Sequence, residues 1–210
     1  MPHRFTTTLL IALALTGALS AAGRFEITPM ALYRIGGEFE AEDGEITRDL
    51  LLEGGPGFGF TFGVDYDQHY QLEFSWLRQQ SELREEAGSL SPSVRLFDLN
   101  VDQYQFNGLY HWLYEGGRVR PFLIFGIGAT YLDPVPADVD GSLHLSVRMG
   151  GGIKLGIGKH AGVRVQGCYV PTYVSEETRV IGVLPGEVYI VTAGQFFHQL
   201  EASGGFYIRF

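Results

Sequence analysis

The chain has 210 residues, room for one domain or at most two small ones. Glycine is frequent at 29 residues, aromatics reach 13% against 19% charged residues, and the formal charge is −9. So acidic a chain lacks the basic footprint that nucleic acid needs, and its single cysteine excludes both an internal disulfide and a thiolate zinc site.

The first element in chain order is apolar. Arg4 gives a positive start, and Leu9 to Leu19 (LLIALALTGAL) is the length of a signal-peptide core, too short to span a bilayer as a helix. The following ALSAAG offers small residues for cleavage after Ala22, with Ser20 at the −3 position. This predicts residues 1–22 as a removed signal peptide and residues 23–210 as the exported domain. No cysteine sits at the junction, so no lipoprotein anchor is expected. Beyond Ala22 no apolar run approaches the ~20 residues of a membrane helix, so an exported chain of this kind is either soluble or a barrel.

After residue 22 the dominant period is two. In GFGFTFGVDY, Phe58, Phe60, Phe62, Val64 and Tyr66 alternate with Gly57, Gly59, Thr61, Gly63 and Asp65. In QYQFNGLYHWLY, Tyr104, Phe106, Tyr110, Trp112 and Tyr114 oppose Gln103, Gln105, Asn107 and His111. Such alternation predicts strands with one apolar face and one polar or small face. Eight are expected, at about 25–36, 56–66, 69–80, 101–114, 118–132, 142–158, 161–174 and 194–210. Tight turns (DYDQH, YEGGR, GKHA) alternate with longer loops, which places every long loop at one end. Outer-membrane barrels are built this way. The large aromatics do not fit inside eight strands, whereas the Gly, Ser, Thr and Gln of the opposite face do. The expected fold is therefore all-β: an eight-stranded, antiparallel, up-and-down transmembrane β-barrel, apolar outside and polar within. It is closed by pairing of the first and last strands, because lipid satisfies no free edge.

The last strand ends SGGFYIRF. This stretch resembles the C-terminal β-signal of outer-membrane proteins, with Ser203, Gly205, Ile208 and Phe210 in its slots. FNGLYHWLY, RVRPFLIFGIGATYL and GGGIKLGIGKHAGVRVQGCYV are similar to strands of the OmpA-like and OmpX-like small barrels, and the resemblance covers the whole exported segment. It implies the outer membrane of a Gram-negative cell, handling by the barrel assembly machinery, and surroundings of outer-membrane lipid and lipopolysaccharide. No peptidoglycan-binding domain is expected after the barrel.

The strand phase points Arg34, Glu73, Arg120, Arg148, Lys154, Arg164, Glu201 and Arg209 into the lumen. Counting up from the turns sets Glu201 level with Arg148, and Glu73 level with Lys154 and near Arg164. A buried charge is tolerable when paired, so a lumen-filling ion network is the expected arrangement. A gated polar pathway is the alternative. The first long loop carries Glu38, Glu40, Glu42, Asp43, Glu45, Asp49 and Glu53, without EF-hand spacing, and reads as an extended, solvated loop. The second (SELREEAGSLSPSVRLFDLN) reads as mobile. In the fourth, RVIGVL and VYIVTA read as a hairpin extending the last two strands.

His69, His111 and His160 fall near the tight turns, His144 high in the lumen and His198 on the apolar face. None has metal-ligand spacing, and no metal or cofactor is expected. Lipid A deacylases, which resemble this chain in shape, use a His-x-Ser pair; here Gln199 and Leu200 follow His198. GGGIKLGIGK lacks P-loop spacing, with His160 in place of the required Ser or Thr. Cys168 lies on the lumen phase as a small buried hydrophobe. The expected function is a non-enzymatic barrel serving envelope structure, surface contact or adhesion, with an extracellular ligand reached through its loops. The alternatives are a narrow pore or carrier for small or hydrophobic solutes and, after that, a lipid A-modifying enzyme.

Overall fold

The computed structural model describes residues 25–43, 46–85, 94–112, 118–135, 141–174, 183–184, 187–188, 190–191 and 195–210. The proposed signal peptide lies outside the described residues. The described strands are β1 (Phe25–Ile35), β2 (Glu38–Asp43), β3 (Ile46–Leu52), β4 (Gly55–Asp65), β5 (Tyr70–Glu85), β6 (Val94–His111) and β7 (Val119–Val135). They continue with β8 (Ser142–Gly156), β9 (Ala161–Val174), β10 (Val183–Leu184), β11 (Glu187–Val188), β12 (Ile190–Val191) and β13 (Gln195–Arg209).

Eight of these strands close a ring. β1 pairs β4, β4 pairs β5, and each neighbour follows to β9, which pairs β13; β13 returns to β1, every pair antiparallel. The seam is held to its end, since the Phe210 N–H donates to the Phe25 carbonyl at 2.8 Å; on the β9 side of the last strand, the Arg209 N–H donates to the His160 carbonyl at 2.7 Å.

The sheet is inverted relative to a water-soluble barrel. Phe106 is 69% exposed while its neighbour Gln105 is 0% exposed, and the same alternation runs around the ring. Tyr66, Tyr70, Tyr110, Trp112 and Phe210 are exposed at the turn end. Tyr33, Phe58, Tyr104, Tyr173 and Phe196 are exposed toward the loop end. Between these two aromatic rings lie exposed Leu72, Leu123, Phe125, Ile127, Leu145 and Val165.

Three expectations about the loops are corrected. The second loop is shorter than expected, because β5 runs to Glu85 and β6 starts at Val94, with Ser81 paired to Leu99 and Glu85 to Val94. The ladder continues where a strand no longer needs an apolar face, so hydrophobic periodicity cannot reveal it. Residues 86–93 of that loop lie outside the described residues. The acidic first loop is a β2–β3 hairpin, with Glu40 opposite Asp49 and Ala41 opposite Arg48. Its chain leaves β1 through Gly36 and Gly37, both at positive φ (90° and 137°), where other residues are strained. A side chain at Gly37 would also strike the Phe197 ring and Leu52. In the fourth loop β10 pairs β11, but β12 pairs β2 instead of prolonging β9 and β13.

Candidate functional site

The interior-facing residues of the eight strands stack in levels along the barrel. At the turn end Lys154 (β8) pairs with Glu26 (β1) and reaches Gln71 Oε1 at 2.8 Å. Arg209 (β13) binds the other Glu26 oxygen at 2.9 Å and lies 3.8 Å from Asp65. The Arg120 guanidinium donates to the Gln68 carbonyl at 3.3 Å. One level up, Arg164 (β9) grips both oxygens of Glu73 (β5) and donates to Gln166 at 2.7 Å. Asn107 (β6) donates to Ser75 at 3.1 Å and lies 3.4 Å from Glu73. Two aromatic plates separate these cations. Arg164 lies 4.9 Å from the Phe122 ring centre, and Lys154 and Arg209 lie 5.7 and 5.6 Å from that of Tyr207. The ring quadrupole attracts a cation in such a place.

Apolar side chains also point into the lumen, beside the polar groups. Leu109, Phe122, Ile124, Cys168 and Val170 form one buried cluster, and Met30, Leu32 and Leu77 form another. Gly59 on β4 makes the second possible. A Cβ there would fall 2.9 Å from the Leu77 side chain and 2.8 Å from its Cα.

Toward the loop end, Glu201 (β13) receives Arg34 (β1) at 3.0 Å on one oxygen and Arg148 (β8) on the other, with Ser203 Oγ donating to it at 3.0 Å. Higher still, amides bridge the lumen. Gln103 donates to Gln199 at 3.1 Å and Gln199 to Gln79 at 3.3 Å, while Gln105 donates to Ser146 at 2.6 Å. Thr130 and Thr172 meet at 3.2 Å, and His144 meets Ser142 at 2.8 Å. Leu52, from the β2–β3 hairpin, and Phe197 are buried over the mouth against Gly37.

The structure thus brings Glu201, Arg148 and Arg34 together, and separately Glu73 and Arg164. It splits Lys154 from Glu73, giving it Glu26 instead. Strand phase alone could have found Glu26, eight residues before Arg34 on the same strand and therefore on the same face. Of the β-signal residues, Ser203 is buried in the Glu201 cluster and Gly205 sits where a Cβ would meet Met30 Sδ at 2.9 Å. Ile208 and Phe210 face outward. His111 is buried with its ring 5.7 Å from Phe122, and His198 faces outward, bonded to the Tyr169 hydroxyl at 2.6 Å.

Sequence reasoning also missed a pair on the outer face. Arg78 and Asp102 stand opposite each other on β5 and β6, bonded at 2.8 and 2.6 Å, with Trp76 Nε1 donating to Asp102 at 3.2 Å. Their place beyond Trp76 and Tyr104 on the apolar phase was the available signal. Nearby, Gly54, Pro56, Gln80, Glu82, Asp98 and Val135 help line a cleft of about 600 Å³ at the loop end.

No protein-family model matches the chain, and no curated protein matches its sequence. Solved structures do. The outer membrane protein OprG from Pseudomonas aeruginosa superposes with a TM-score of 0.63 at 12% identity, over 90% of this chain and 97% of that one. The outer membrane protein AlkL, determined in DMPC lipid bilayers, gives 0.61 at 15% identity over 90% of each chain. Neisserial surface protein A gives 0.51 at 13%, over 89% of this chain and 97% of that one. The chain has the fold of the small eight-stranded outer-membrane barrels. In that fold the outward aromatic and aliphatic side chains meet lipid, and the ion-paired levels lie within.

Proposed function

We propose that this protein is a non-enzymatic integral barrel of a Gram-negative outer membrane, that its lumen is closed by its own side chains, and that it acts through its loops in envelope structure or surface contact. The observation that carries this is the succession of bonded levels from Glu26, Lys154 and Arg209 at the turn end to Gln79, Gln103 and Gln199 toward the loop end. An eight-stranded barrel has an interior just wide enough for side chains to fill, and bonds that span it support a lumen closed to water. Export through a cleaved segment 1–22, assembly through the C-terminal strand, contact with lipid and lipopolysaccharide, and an extracellular ligand for the loops all belong to this reading; nucleic acid does not. The loop-end hairpin β2–β3, joined to β12, supports it by carrying a paired platform above the barrel.

The test replaces residues 38–52 and 175–194 with short turns in a Gram-negative host, and measures outer-membrane insertion, detergent sensitivity and cell adherence. The reading predicts equal insertion with lost adherence or envelope resistance. Unchanged values for both would contradict it. The second reading, a carrier for small or hydrophobic solutes, draws on the loop-end cleft beside Pro56 and Val135. Solute uptake that survives loop replacement would favour it.

A further inference from the structure

The Glu201 cluster is unbalanced. Arg34 and Arg148 are 0% and 1% exposed, and both bond the same carboxylate. Two buried cations therefore share one buried anion. The next carboxylate toward the turn end, Glu73, is occupied by the Arg164 fork. Ser203 is neutral, and the Cys168 thiol lies against Arg148. Four buried guanidinium nitrogens, Arg34 Nη1 and Nη2 and Arg148 Nε and Nη1, have no acceptor among the described residues beyond the weakly accepting sulfur of Cys168 beside Arg148. Leaving even one buried charged donor unbonded is costly, so an excess charge with four such N–H-bearing atoms calls for a further acceptor that is itself negative.

We propose that Arg34 and Arg148 bind a small monovalent inorganic anion, of the chloride class, inside the barrel. The ion brings the cluster to neutrality and accepts from guanidinium N–H groups that Glu201 does not reach. It is a structural ion, taken up when the barrel closes, because the two arginines come from β8 and from the seam strand β1 and meet only in the closed ring. A ligand that binds only the folded state raises stability with its concentration, which makes the ion detectable without knowledge of its path.

The experiment unfolds the refolded full barrel in detergent at constant ionic strength, exchanging sodium gluconate for sodium chloride or bromide. Gluconate, a bulky organic anion, keeps the ionic strength constant without supplying a small ion. The wild type is expected to show a saturable rise in unfolding midpoint with either halide. Arg34→Met and Arg148→Met each leave one cation for one carboxylate, and are expected to lose the rise. Cys168→Ser is expected to keep it. A wild type indifferent to halide, or arginine variants with the wild-type dependence, would overturn the proposal. A halide effect that appears only in Cys168→Ser would also overturn it, because the thiolate would then be the balancing charge. Should the arginine variants fail to fold, crystals of the wild type grown in bromide decide: anomalous density at the two guanidinium groups supports the site, and its absence refutes it.

Discussion

Arg34 and Glu201 stand directly opposite each other across the seam where the first and last barrel strands meet, Nε to Oε2 at 3.0 Å. The same carboxylate holds Arg148 from β8, so one glutamate ties the closing seam to a strand beyond its neighbour β9. Removing one member of a buried pair costs more than removing both, because the survivor keeps its charge without its partner. Glu201→Gln is expected to lower the unfolding free energy by about 3–5 kcal/mol. Adding Arg148→Met is expected to recover about 1–3 kcal/mol through the coupling of neighbours. Urea titrations of the refolded variants measure both. Additive losses would show that the contact carries no coupling.

Arg164 makes a two-pronged grip on Glu73 while lying over Phe122. A lysine offers a point charge and cannot reproduce the fork or the planar stacking. Arg164→Lys is therefore expected to cost about 1–3 kcal/mol in the same titration, the range for a lost charge-assisted bond. A neutral result would mean that the fork contributes no more than a point charge.

The outward face gives a depth-dependent expectation. Ile127 is exposed between the two aromatic rings, whereas Tyr33 lies in the loop-end ring. Ile127→Arg is expected to cost about 2–4 kcal/mol in lipid, and Tyr33→Arg about 0–1 kcal/mol. Equal costs at both positions would contradict the assignment of this band to the membrane.

In the turn after β4, Asp67 Oδ1 accepts from the backbone N–H groups of His69 and Tyr70, each at 2.7 Å. These amides hold its carboxyl below the usual carboxylate range. With the folded value depressed, the contribution is complete above the unfolded pKa and disappears as pH falls through the folded one. The stability difference between wild type and Asp67→Asn is expected to vanish at acid pH. A difference that does not change with pH would assign the effect to turn geometry alone.

The barrel was legible because lipid imposes alternation: Phe106 beside Gln105 tells both faces apart without a structure. The lumen ladder was partly legible. Parity placed Glu201, Arg148 and Arg34 within, but cross-barrel partners depend on strand tilt and stagger, so Lys154 was set level with Glu73 when it reaches Glu26. The apolar clusters within the lumen escaped notice because Leu109, Ile124 and Val170 look alike on either face of a strand. The β2–β3 hairpin escaped because Glu38, Glu40 and Glu42 read as a solvated run and above the membrane neither face has to be apolar.

Single-channel conductance of the refolded barrel in a planar bilayer tests the closed lumen most directly. Folding would be shown first by heat-modifiable gel mobility. The account predicts silence from the folded wild type. Discrete, reproducible current steps would contradict it, and the charged levels would then line an aqueous path.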